Sequence, residues 1–209
     1  FAVTGERIQA LRYGENPHQK AGFYKDETAG PGTLGSARQL QGKELSFNNI
    51  VDLEAVLSLV REFEKPAAVI VKHTNPCGTA IGENIRAAYL RALEADKLSA
   101  YGGIVGLNRP LDKETAQELV DIFLEAVIAP SVEPDALEVL SAKPNMRVLE
   151  CGDLSAGGQK GYDLKKVSGG FLIQDTDTGI VPPEEWKTVT RLQPSPKDLE
   201  ELLFAWKVV

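Results

Sequence analysis

Between Asn49 and Phe63 the apolar residues Ile50, Leu53, Val56, Leu57, Val60 and Phe63 recur every three or four positions, the spacing that lines one face of an α-helix. Asn48 or Asn49 can cap its start, and Lys65-Pro66 ends it. The pattern then changes. Ala67 to Val71 is a short unbroken apolar run, which suits a strand covered on both faces. The same order repeats downstream. Asn84 to Ala95 reads as a helix with Ile85, Ala88, Tyr89 and Ala92 on one face, and Gly103 to Leu107 as a strand. Asp112 to Glu125 is a further helix, followed by a strand over Ala126 to Ala129 that Pro130 closes. Glu133 to Leu140 and Met146 to Leu149 repeat the helix and strand once more. This alternation predicts a layered α/β fold with a largely parallel sheet. Ligands in such sheets sit beyond the carboxyl ends of the strands, which points to the residues after Val71 and to Pro130-Ser131.

The flanks are less regular. Gly14 and Asn16-Pro17 predict irregular backbone behind a polar start, with a short strand at Gly22-Phe23-Tyr24 and a loop from Thr28 to Ser36. Gly152 to Lys166 reads as an exposed connection, Gly170 to Gln174 as a strand, and Thr176 to Pro194 as a linker. Ser195 then caps a last helix with Pro196 at its first position and Asp198 in its first turn. Its stripe of Leu199, Leu202, Leu203 and Trp206 runs to Val209 without a stop signal, so the expectation is a fragment whose stripe packs on something beyond this chain.

Composition narrows the function. A net charge of -7 argues against a nucleic-acid or anionic-membrane partner, while leaving room for a small anionic ligand in a locally basic site. No apolar run approaches membrane-spanning length. The 2 cysteines, Cys77 and Cys151, form neither a disulfide framework nor a structural zinc site, which makes a cytoplasmic setting the default. The 2 histidines are His18 and His73.

The strongest chemical signal is Lys72-His73-Thr74-Asn75-Pro76-Cys77-Gly78, at the mouth of the buried strand. His73 is naturally poised for proton transfer near neutral pH, and Lys72 can stabilise negative charge developing on a carbonyl oxygen. Asn75-Pro76 favours a turn, and Gly78 permits close backbone approach. In Arg12-Tyr13-Gly14-Glu15-Asn16-Pro17-His18-Gln19, the arginine suits a phosphate and the tyrosine can stack on a base. His18, beside Pro17, reads as structural. Gly102-Gly103 before a strand forms a tight turn or presents backbone amides to a ligand. Glu125, taken alone, reads as a solvated surface acid, and Cys77 as a small buried residue. Zinc deaminase chemistry needs His-x-Glu and Pro-Cys-x-x-Cys, but Pro76-Cys77 is followed by Gly78-Thr79-Ala80, so no metal is expected.

Taken in order, LRYGENPHQ, LQGKELSFNNI, VIVKHTNPCG, SAYGGIVGLNR and EAVIAP resemble the transformylase domain of the aminoimidazole carboxamide ribotide transformylase/IMP cyclohydrolase family, and the likeness runs to the final LLFAWKVV. The resemblance implies a three-layer, cytidine-deaminase-like α/β/α subdomain with a mixed, largely parallel sheet over residues 1–175, a linker over 176–194 and the first helix of a second subdomain over 195–209. It implies transfer of a formyl group from 10-formyltetrahydrofolate to the 5-amino group of the ribotide, in a homodimer with sites shared between subunits. His73 would be the general base and Lys72 the stabiliser of the oxyanion. Arg12 and Tyr13 would bind the ribotide, in the partner's site, and Gly102 and Glu125 match further ribotide-binding positions. Most folate contacts would come from the second subdomain, so the chain alone is expected to be inactive. The alternative is a non-catalytic ribotide-binding or structural module, against which the intact Lys72-His73 pair argues.

Overall fold

A computed structural model of the chain describes residues 2–155, 161–179 and 181–209. The chain divides into two units, Phe1–Gly157 and Gly158–Val209. The first opens with an antiparallel hairpin, β1 (Glu6–Leu11) and β2 (Ala21–Lys25). Then come β3 (Arg38–Gln41), α1 (Phe47–Val60), β4 (Ala67–Lys72), β5 (Asn75–Ile81), α2 (Ile85–Ala95) and α3 (Lys97–Ala100). The unit closes with β6 (Ile104–Leu107), α4 (Lys113–Leu119), β7 (Ala126–Ala129), α5 (Pro134–Leu140) and β8 (Arg147–Glu150).

Six strands form one sheet in the order β3-β8-β7-β6-β4-β5. Strand alternation sorts the apolar residues of β4 onto two faces. Ala68 and Ile70 join Val105, Leu107 and Val127 in a core that Tyr89, Ala92, Leu119 and Leu140 cover from α2, α4 and α5. On the other face α1 packs on β4, β6 and β7, burying Leu53, Val56, Leu57 and Val60 completely. The expected three layers are therefore present, with one helix on one face and a group of helices on the other. The α1 stripe and the α2 face read from the sequence are the buried faces, with Ile50 only partly covered.

The sheet is mixed and only partly parallel. β6, β7 and β8 run parallel, whereas β3 with β8, β4 with β6 and β4 with β5 are antiparallel. The difference from a largely parallel sheet arises at KHTNPCG. The segment after Lys72 does not leave the sheet but returns as β5. The turn falls at His73-Thr74, not at Asn75-Pro76, which opens the returning strand. Proline has no N–H to give, and β5 is an edge strand, where that loss is tolerated. Cys77 takes up a register shift between the two strands.

Other boundaries move for identifiable reasons. The cap of α1 is Ser46, whose side chain accepts the Asn49 N–H while the Asn49 side chain accepts the Ser46 N–H. α4 ends at Leu119, short of Glu125, because the Phe123 carbonyl and the Glu125 N–H are taken by Gly102 and Gly103. The polar start contains β1.

In the second unit β9 (Tyr162–Val167) pairs antiparallel with β10 (Gly170–Asp175), so the last five residues of the connection form a strand, exposed along its whole length. Residues 156–160 of that connection lie outside the described residues. The last helix, α6 (Pro196–Val208), starts at Ser195 with a capping box to Asp198. Leu199, Leu202 and Trp206 are exposed on it. Among the described residues no helix is long and apolar enough to cross a membrane.

Candidate active site

The register places the candidate residues along one edge of the sheet. Lys72 lies opposite Asn75, and the β4–β6 pairing brings the end of β4 beside the start of β6 at Ile104. β7 begins at the same edge, since Ile104 faces Ala126, and so does β8, since Ala126 faces Arg147. Lys72, His73, Gly102 and Glu125 therefore share an edge. Pro130-Ser131 lie at the opposite one, where an open cleft of about 320 Å³ also involves Pro31 and Arg38. Lys72-His73 lies at the carboxyl end of β4, but because β4 is antiparallel to β6 this is the end at which β6, β7 and β8 begin.

His73 and Thr74 form a two-residue hairpin turn, with φ of 53° and 62°. Both lie in the left-handed region, normally filled in such turns by Asn-Gly. L-residues pay roughly 1–2 kcal/mol each for it, so about 2–4 kcal/mol of strain sits here. The turn is held by bonds at its backbone. Thr74 Oγ1 and Asn75 Nδ2 donate to the His73 carbonyl at 2.7 and 2.8 Å, and the Thr74 N–H donates to Asp52 Oδ1 on α1 at 2.7 Å. His73 itself is exposed.

Lys72 is half-buried, and its Nζ donates to the Tyr101 carbonyl at 2.8 Å. That bond orients the ammonium and leaves its other protons for a substrate oxygen. From there, hydrogen bonds cross the whole edge. The Gly102 N–H donates to Phe123 O at 2.8 Å, the Glu125 N–H to Gly103 O at 3.0 Å and the Arg147 N–H to Glu125 O at 3.1 Å. Gly102 has φ of 75°, a turn conformation natural to glycine. The Gly103 N–H donates to Ala100 O, so both glycine amides are engaged internally. The tight turn is what the pair makes.

Glu125 is not a free surface acid. Its Oε2 accepts from Arg147 Nη1 at 2.6 Å, and Arg147 Nε also donates to Glu44 O at 3.0 Å. Arg147 lines a cleft of about 340 Å³ together with Arg12, Tyr13, Lys43, Glu44, Leu45 and Ser46. The Arg12 guanidinium lies 5.8 Å from the Tyr13 ring centre, within cation–π reach. Gly14 and Gln19 close the turn behind them, and Gln9 Nε2 ties the hairpin to Leu45 O. Arg12, Lys43 and Arg147 outnumber the Glu44 carboxylate in this lining, and with Arg147 already paired to Glu125 it is Arg12 and Lys43 that leave the cleft suited to an anionic group on an acidic chain. His18 lies exposed in the Gly14–Gln19 turn, away from the cleft lining.

Arg147, Lys43 and Asp52 carry no sequence signal of their own. Arg147 becomes foreseeable once β7 and β8 are known to be parallel neighbours, because their first residues then stand side by side. The cysteines read as inert. Burial pushes the Cys77 thiol up, with Sγ donating to Ile70 O, and pushes Cys151 up to about 11.

Fold and site together define a mixed α/β domain with a Lys-His pair at a strained hairpin and, with β6 and β7 between them, a cleft lined by Arg147 at the start of β8. The chain belongs to the AICARFT/IMPCHase bienzyme family, which it matches over residues 1–209. The bifunctional purine biosynthesis protein PurH of Thermoanaerobacter sp. (strain X514) is 54% identical over 209 residues, and that of Cyanothece sp. (strain PCC 7425 / ATCC 29141) is 52% identical. Each alignment covers 100% of this chain and 40% of the relative, so the chain spans about two fifths of their length. Among solved structures, Acinetobacter baumannii RibD, form 1, has 16% sequence identity and a TM-score of 0.40 over 51% of this chain and 35% of that one.

Proposed function

We propose that the chain carries the acceptor side of a formyltransferase site of purine biosynthesis, moving a formyl group from 10-formyltetrahydrofolate to the 5-amino group of aminoimidazole carboxamide ribotide. The observation that carries the reading is the Lys72-His73 pair, the last residue of β4 and the first of a strained two-residue turn, at the edge shared by Gly102 and Glu125. Strain maintained in this way concentrates at functional sites.

The acceptor amine is a weak nucleophile, because its lone pair is delocalised into the imidazole ring and its carboxamide. His73 removes its proton as the new C–N bond forms. Lys72, oriented by Tyr101 O, meets the negative charge developing on the formyl oxygen, and collapse of that tetrahedral adduct breaks the bond from the formyl carbon to N10, which takes up a proton as tetrahydrofolate leaves. Arg12 and Tyr13 bind the ribotide of the partner subunit's site through its phosphate and base, while Gly102 and Glu125 form part of the seat on this chain, with Arg147 holding the Glu125 carboxylate. The folate seat and the rest of the ribotide site belong to the part of the relatives that this chain does not span, within a cytoplasmic homodimer that shares its sites. The chain alone is then inactive.

Lys72→Ala and His73→Ala, each made in a full-length family enzyme carrying this sequence, abolish formyl transfer while leaving the circular-dichroism melt in place. Near-normal turnover in either variant overturns the reading. Mixing residues 1–209 with a complementary C-terminal half restores transfer, which a non-catalytic ribotide-binding module would not do.

A further inference from the structure

The His73-Thr74 turn is anchored by a side chain that belongs to neither strand of its hairpin. Asp52 stands on α1, and its Oδ1 accepts the Thr74 N–H at 2.7 Å. We infer that Asp52 is a positioning residue for formyl transfer: it holds the turn in the left-handed backbone that sets where the His73 imidazole stands. The inference rests on the reading of Lys72 and His73 as the catalytic pair.

Two observations carry it. The first is that the turn does not keep this shape through its own residues. A two-residue hairpin of this kind wants glycine or asparagine; histidine tolerates φ of 53° better than most residues, but the β-branched Thr74 is an outlier at 62°. The second is where the restraints lead. The bonds from Thr74 Oγ1 and Asn75 Nδ2 to the His73 carbonyl are internal to the turn and move with it. The bond to Asp52 instead refers the turn to α1, whose neighbouring Leu53 and Val56 are completely buried on the sheet. A carboxylate accepting a backbone N–H makes one of the stronger hydrogen bonds available. Without it the turn relaxes toward right-handed backbone, and His73 shifts while Lys72 stays tied to Tyr101 O. The two groups would then no longer converge on the same reacting atoms.

The test separates position from fold and from the underlying reading. In the full-length enzyme, Asp52→Ala lowers kcat about a hundredfold, the scale of an ångström-sized misplacement, with the ribotide KM within about threefold. Asp52→Asn keeps an oxygen acceptor and folds with the same melt, and its kcat lies between the two. The deciding variant is Asp52→Ala combined with Thr74→Gly. Glycine adopts the left-handed turn without help, so kcat returns to within about fivefold of the parent. In the 209-residue chain, Asp52→Ala moves the Thr74 amide proton upfield by NMR and takes the His73 and Thr74 backbone shifts away from left-handed values. Unchanged kcat in Asp52→Ala, no rescue by Thr74→Gly, or unmoved Thr74 resonances each overturns the inference. A normal rate in His73→Ala brings down the catalytic assignment itself, read from a different variant.

Discussion

At the residue scale, single side chains do work that their neighbours in sequence do not reveal. Asn108 follows β6 directly and is almost fully buried. Its Oδ1 accepts the Ala67 N–H at 2.7 Å, and its Nδ2 donates to Phe63 O and Lys65 O at 2.7 and 2.8 Å. One amide thus closes the passage from α1 into β4, the strand that ends in Lys72. Asn108→Ala would strand a backbone N–H and two carbonyls, costing about 3 kcal/mol, to be read from urea unfolding. Arg147 acts in the same manner at the opposite side of the sheet, holding Glu125 and Glu44 in one geometry.

At the element scale, the approach of α2 to β5 depends on Gly78. A Cβ there would lie 2.0 Å from the Ala92 carbonyl oxygen, a backbone atom of α2 that cannot swing aside. The helix would have to lift from the sheet. Gly78→Ala is therefore expected to cost about 3 kcal/mol or more, beyond the ordinary penalty of overpacking, and to lower the melting temperature accordingly. Close backbone approach at Gly78 was legible from KHTNPCG, whereas the partner was not. Gly106 meets Val56 of α1 at 2.7 Å by the same measure, so glycines set the helix spacing on both faces of the sheet.

At the scale of the whole molecule, the thiols report on the integrity of the first unit. Cys151 is buried, and desolvation raises it from the ordinary 9.0 to about 11. Cys77 is raised too, again chiefly by desolvation. Both should resist alkylation at pH 8 in the native chain and react readily in urea, followed by mass spectrometry. Fast labelling of Cys151 under native conditions would contradict the packing of β8. The raised value also gives a sign for stability. The folded state holds the Cys151 proton where the unfolded chain has lost it, so this contribution is present below pH 9 and lost as pH rises towards 11.

The sequence by itself determined what depends on neighbours along the chain. Apolar periodicity marked the buried faces of α1 and α2 and the run that becomes β4, because an element must bury the face its period makes apolar. Lys72, His73, Arg12 and Tyr13 were likewise visible as residue types in unusual settings, whereas Gly102 and Glu125 stood out only through the family resemblance. Strand order and direction were not, because they are settled by which edges pair across gaps of many residues. Only the tertiary structure returned KHTNPCG as β5 and moved the turn from Asn75-Pro76 to His73-Thr74. Only it set Glu125 against Arg147, 22 residues away, and brought Asp52 of α1 to the Thr74 amide, a bond also spanning 22 residues. Local spacing supplies the chemistry of this edge. Its geometry comes from antiparallel and parallel pairings that meet there, and no local pattern encodes them.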